Sequence, residues 1–221
     1  RIVKEAGALL HSDLAQAAGK MAVDVRALDL DLASVSAHKM YGPKGVGALF
    51  VRRRPRVRLE PLFSGGGQER GLRSGTLPST LIAGFGEAAR IARAEWQADD
   101  QRLAALAQQL FHGLSERQTP FVINAEEALR LPGIISLRLP GAPATRIMEA
   151  LPQMALSVGS ACSSADLAPS YVLTVMGLNP TEAAESLRLS PGRFTTPADI
   201  VRVAELLADA AQRVRAERST Q

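Results

Sequence analysis

The sequence predicts an α/β fold built in two parts. Three observations carry this expectation. Apolar runs of strand length, "ALLHSD", "DLASV" and "GVGALFVR", are separated by turn-forming residues. Longer segments place apolar residues at helical spacing. The texture also changes near residue 96, so residues 1–95 read as part of a sheet domain and residues 96–221 as a smaller α/β domain.

Taken in order, "RIVKEAG" reads as the end of a helix and residues 8–12 as a strand. A buried strand needs neighbours on both sides. The opening has neither a methionine nor a targeting signal, so the expectation is a chain whose beginning lies further upstream. "DLAQAAGK" reads as a loop leading to a turn, residues 31–35 as a second strand and residues 45–52 as a third. Residues 61–76 are too rich in glycine and serine for regular structure. A helix is expected from Pro78 through Trp96. A second is expected to carry Leu103, Leu106, Leu110 and Leu114 on one face. Residues 121–124 and 134–140 read as strands, "ATRIMEAL" as a helix and residues 157–170 as a loop of small residues. "SYVLTVMG" reads as a short helix capped by Gly177. A strand over 186–190 precedes a closing helix with Thr196 as N-cap, Pro197 in its first position and Asp199 in its first turn.

Composition narrows the function classes. The chain is 46% hydrophobic and 22% charged, an ordinary globular balance. Its net charge of +4 is too modest for a dedicated nucleic-acid binder. The five arginines of "VRRRPRVR" have no interleaved aromatics, so they read as a solvated strand edge. The single cysteine, Cys162, permits no intrachain disulfide and suits a reducing, cytoplasmic compartment. No apolar run approaches the ~20 residues of a membrane span. The three histidines are scattered without metal-ligand spacing.

The chemistry-bearing residues begin with "SAHKMYGPKGVG". A lysine that forms a covalent bond to a cofactor needs a strand-end position and shielding that favours its neutral form. Lys39 follows a strand and precedes a rigid turn, with Ser36 and His38 as donors for a phosphate. Asp13, ending the first strand, could hold a ring nitrogen protonated, and Gln16 lies three residues on. Taken singly, a strand-end aspartate is more often a cap or turn former, and a lone lysine more often a solvated one. "GPKGVG" and "SGGGQERG" lack the spacing of known phosphate-binding glycine motifs and read as tight turns, with Thr76 in "RSGT" open as an anion contact. Cys162 sits among small polar residues that offer little to bury a thiol, so a reactive cysteine stands beside the inert alternative. Arg188, in an otherwise apolar run, could clamp a carboxylate bidentately or join a structural ion pair.

Five blocks, "HSDLAQAAGK", "SAHKMYGPKGVGALFVRR", "GGGQERGLRSGT", "SVGSACSSADLAPSYVL" and "LRLSPGRFTT", occur in this order. Together they resemble the cysteine desulfurases of the NifS/IscS type, pyridoxal 5'-phosphate enzymes of the class V aminotransferase family. The resemblance implies a fold-type I transferase, with the C-terminal part of the large cofactor domain followed by the small domain. It implies that Lys39 holds the cofactor and moves protons, Asp13 faces the pyridinium nitrogen, Gln16 the phenolic oxygen, and Ser36 and His38 the phosphate. Thr76 is implied to reach the phosphate of a neighbouring subunit, which makes the expected assembly a homodimer. Arg188 is implied to hold the carboxylate of L-cysteine, and Cys162 to take the sulfur as a persulfide for acceptors such as an iron–sulfur scaffold protein. The family's remaining phosphate-loop residues and a ring-stacking histidine are expected upstream of Arg1. The alternatives are a selenocysteine lyase or transaminase of the same family, or a non-catalytic fragment.

Overall fold

The computed structural model describes residues 1–158 and 170–219. The chain divides into two compact units, 1–98 and 99–221.

In the first unit a short helix α1 (Ile2–Glu5) precedes strand β1 (His11–Asp13), and β2 (Leu32–Ser36) and β3 (Gly47–Val51) follow. β1 runs parallel to β2, pairing Asp13 with Ser34, and β2 runs antiparallel to β3, pairing Ser36 with Gly47. β1 starts later than its apolar run suggests. Leu9 is largely exposed. The Leu10 carbonyl instead accepts the amides of Asp31 and Leu32 at the entrance to β2. Leu14, Leu30 and Ala33 form a small core, with Val35 and Phe50 packed against it. Beside this core the buried carboxylate of Asp31 accepts from Lys4 and, at 2.8 Å, from the Leu10 amide, with the Arg52 guanidinium 3.2 Å away. A buried carboxylate persists only when it is paired in this way.

Between Ser79 and Glu116 the sequence suggests two helices, and the structure has one, α2, of 38 residues. The intervening "QADDQR" contains no glycine or proline, so nothing interrupts the backbone hydrogen bonding.

In the second unit β4 (Val122–Ile123), β5 (Ile135–Arg138) and β6 (Ser186–Leu189) form an antiparallel sheet in that order. Ile135, Leu137, Leu187 and Leu189 turn one face into the core, where they meet Leu106, Leu110 and Leu114 of α2. Helices α3 (Ala144–Ala150) and α6 (Pro197–Ser219) complete this core through Ile147, Ala204 and Leu207. A Cβ on Gly113 would stand 2.9 Å from that of Ala204, so the missing side chain lets α2 and α6 approach closely.

Local signals set the shorter elements. α4 (Tyr171–Val175) ends as expected near Gly177, whose φ is +100°. The amides of Gly177 and Leu178 return to the carbonyls of Thr174 and Leu173, a Schellman closure. α5 (Pro180–Ala184), which sequence reading passes over, is opened by a reciprocal cap between Asn179 and Glu182 with proline at its start. α6 begins with the corresponding exchange between Thr196 and Asp199. Among the described residues no helix is long and apolar enough to cross a membrane.

Candidate active site

Five of the eight residues singled out from the sequence lie in one short region of the first unit. β1 ends at Asp13 and its parallel neighbour β2 ends at Ser36, so both chains leave the sheet at the same edge. Ligands of open α/β sheets bind at such carboxyl ends of strands. From β2 the chain enters a single 3-10 turn, Ala37–Met40, which carries His38 and Lys39. Ala37 and Met40 are buried and anchor the turn, leaving His38 exposed and Lys39 half-buried. Tyr41 then adopts a left-handed conformation, φ 64°, and the Gly42 amide donates back to the Ala37 carbonyl at 2.9 Å. A Cβ on Gly42 would meet the Ala37 carbonyl oxygen at 3.0 Å, which explains the glycine after this tight reversal.

The turn after β1 is equally defined. The Ala15 amide donates to Asp13 Oδ1 at 2.8 Å, fixing that carboxylate at the strand end. Gln16 is exposed and its Oε1 accepts from Lys20 Nζ at 2.5 Å. Gly19, at φ +77°, brings this turn against the 3-10 turn: a Cβ there would lie 3.1 Å from that of Met40. Burial, and secondarily the charge of Lys39, hold the Lys20 ammonium below the usual lysine pKa range. Lys20 is the residue the sequence reading missed. Its one signal was a position four residues after Gln16.

These groups fit pyridoxal phosphate in the chemistry of their donors. Lys39 and the His38 imidazole stand on the 3-10 turn, the Ser36 hydroxyl ends β2 just before it, burial and the charge of Lys39 lower the Lys20 pKa, and a carboxylate ends the adjacent strand. An aldehyde-bearing phosphate with a basic ring nitrogen requires this combination of a lysine, cationic or polar donors and an acid. Among the described residues no cluster of metal-ligating side chains occurs.

The remaining three residues lie apart from this region in the chain. Thr76 is exposed on the loop before α2. Arg188 belongs to the second unit, on the polar face of β6, directly opposite Ser136 of β5. Its backbone amide donates to the Ser157 carbonyl at 2.6 Å. Among the described residues its half-buried guanidinium forms no ion pair. Behind the same polar face Asn124, nearly fully buried, donates through Nδ2 to Ser136 Oγ at 2.9 Å and Ser186 Oγ at 3.0 Å. Cys162 lies outside the described residues.

A model of the aminotransferase class-V family matches residues 1–203. The chain is 46% identical over 214 residues to the cysteine desulfurase IscS of Shewanella baltica, covering 97% of this chain and 53% of that protein. It is similar to the crystal structure of a NifS-like protein from Rickettsia africae, with a TM-score of 0.79 and 30% identity, covering 96% of this chain and 55% of the other. A third likeness is to SspA in complex with cysteine, with a TM-score of 0.68 and 33% identity over 88% of this chain and 53% of that one. The chain thus spans about half the length of the curated relatives it matches.

Proposed function

Since the chain belongs to the class V aminotransferase family, a family of fold-type I enzymes that use pyridoxal phosphate, we propose that the protein is a cysteine desulfurase. It takes sulfur from L-cysteine and leaves L-alanine. The observation that carries this reading is the meeting of Asp13, Gln16, Ser36, His38 and Lys39 at the carboxyl edge of the parallel β1–β2 pair.

When bound, the cofactor supplies an electron sink for the negative charge left on the substrate's α-carbon. Lys39 would hold it covalently, and its Nζ, once freed by the incoming substrate amine, would move the α-proton. Asp13 would accept the pyridinium N–H, which would keep the ring electron-poor. Ser36 Oγ and the His38 imidazole would donate to the phosphate. Arg188 grips the substrate carboxylate, for which a planar fork of donors is suited. The Cys162 thiolate attacks the substrate's sulfur, so an S–S bond forms on Cys162 while the substrate's C–S bond breaks, its electron pair staying with the carbon, which takes up a proton to become the methyl group of alanine. Cys162 is left as a persulfide that passes its outer sulfur to an acceptor, such as a scaffold for iron–sulfur assembly or a tRNA-thiolation protein. A transaminase needs no such cysteine.

Thr76 completes the phosphate contacts of a neighbouring subunit, and the working form is a homodimer. Leu62 and Phe63, on the same loop as Thr76, are 90% and 65% exposed, which supports a partner surface there. A single cysteine used as a thiol suits the cytoplasm.

The test uses the natural full-length protein with L-cysteine, assaying alanine and sulfide. Lys39→Ala is expected to lose the cofactor's lysine-bound colour and all activity. Cys162→Ala is expected to keep the colour and lose sulfide release. Sulfide release by Cys162→Ala at the wild-type rate refutes the assignment of the nucleophile.

A further inference from the structure

Lys20 takes no part in the chemistry described above, yet it is built into the same corner. Its neighbour in the chain, Gly19, adopts φ +77°, and the absent side chain lets the turn press on Met40 and on Ala92 of α2, where an added Cβ would meet theirs at 3.1 and 3.0 Å. Lys20 is thereby fixed beside the 3-10 turn that carries Lys39. Its ammonium is half-buried and feels the charge of Lys39. Two cations brought together out of water oppose each other, and the oxygen of Gln16, 2.5 Å from Lys20 Nζ, offsets part of that cost.

This contact decides how Gln16 faces. A primary amide has an accepting end and a donating end, and a lysine ammonium can only donate. Lys20 therefore claims Oε1, and the NH2 end of Gln16 is the one left to point elsewhere. An anionic phenolic oxygen needs a donor. A reversed amide would present a lone pair to it.

We infer that Lys20 is a positioning residue that locks the Gln16 amide with its NH2 group toward the cofactor's phenolic oxygen. The inference rests on the reading that Gln16 faces that oxygen.

The experiment reconstitutes the natural full-length protein with pyridoxal phosphate and records the absorption maximum and the dissociation constant of the bound cofactor, without turnover. Gln16→Leu is expected to shift the maximum and weaken binding about tenfold, the loss of one hydrogen bond to a charged group. Lys20→Met is expected to shift the maximum in the same direction, with a smaller loss of affinity. Lys20→Arg, which keeps a donor-only cation, restores the wild-type spectrum. The double variant Lys20→Met/Gln16→Leu is no worse than Gln16→Leu alone, because Lys20 acts through Gln16. Lys20→Leu, which also lacks a donor, replaces Lys20→Met if the latter changes the far-ultraviolet circular dichroism. The inference is overturned if Gln16→Leu shifts the spectrum while Lys20→Met leaves both spectrum and affinity unchanged, or if the two losses add. If Gln16→Leu has no effect while Lys39→Ala abolishes the lysine-bound colour, the placement of Gln16 itself is wrong.

Discussion

Replacing Gly47 by alanine tests the geometry under Lys39 most directly. Gly47 opens β3 and pairs with Ser36, the last residue of β2 before the 3-10 turn. A Cβ at this position would lie 2.5 Å from the carbonyl oxygen of Val35. Carbon–oxygen contacts between strands normally sit at about 3.3 Å or more, so the strands must part by roughly 0.8 Å. The obstacle is backbone, and no rotamer change relieves it. Overpacking of this kind costs about 1–3 kcal/mol. The stiffer unfolded chain returns about 0.4–1 kcal/mol, leaving a net loss near ~1–2 kcal/mol. With a urea slope of about 2 kcal/mol per molar, the unfolding midpoint of the natural full-length protein falls by about 0.5–1 M, read by far-ultraviolet circular dichroism. Gly86 is the control. It lies inside α2 with no atom within 4 Å of an added Cβ, so Gly86→Ala should gain about 0.5–1 kcal/mol and raise the midpoint. A Gly47→Ala protein that unfolds at or above the wild-type midpoint refutes the close approach of β2 and β3.

Two further outcomes are expected. Hydrogen bonds from Lys4 and from the Leu10 amide, with the Arg52 charge, hold the Asp31 carboxyl below the usual aspartate range. Its stabilising effect is therefore complete above the unfolded-state value, about 3.9, and is lost as pH falls through the lower folded-state value. Thermal melts across about pH 2–7 should show Asp31→Asn less stable than wild type at neutral pH, with a smaller drop in acid. An unchanged acid slope would remove Asp31 as its source. Arg188→Lys keeps the charge but loses the bidentate fork, so KM for L-cysteine should rise about tenfold or more while the bound cofactor's absorption stays in place. An unchanged KM would take Arg188 out of substrate binding.

Helix caps were legible in the sequence because single residues dictate them. Thr196, Pro197 and Asp199 marked the start of α6, and Gly177 the end of α4, since backbone groups at helix termini must find partners nearby. The break expected inside α2 came from a change of hydrophobic pattern. Pattern records which face is covered, whereas a helix ends where its backbone bonding is broken or capped, and "QADDQR" holds no proline or glycine to do so. α5 was missed because five residues show no periodicity, although "NPTE" carried a complete start signal. The positions of Asp13, Ser36 and Lys39 at strand ends were readable from local pattern, but their common edge depends on β1 and β2 being parallel. Lys20 enters through its hydrogen bond to Gln16, four residues earlier, a spacing that brings two side chains together in a helix but implies no contact in a turn.

Asn124 has a consequence for the second unit that reaches past the residues it touches. β4 contains only two residues, too few rungs to keep a strand in place by ladder bonding alone. β5 and β6 share a four-rung ladder of their own, but one carboxamide next to the end of β4, reaching over β5 to β6, tethers the two-residue strand to both, so the margin of this sheet leans on a single side chain.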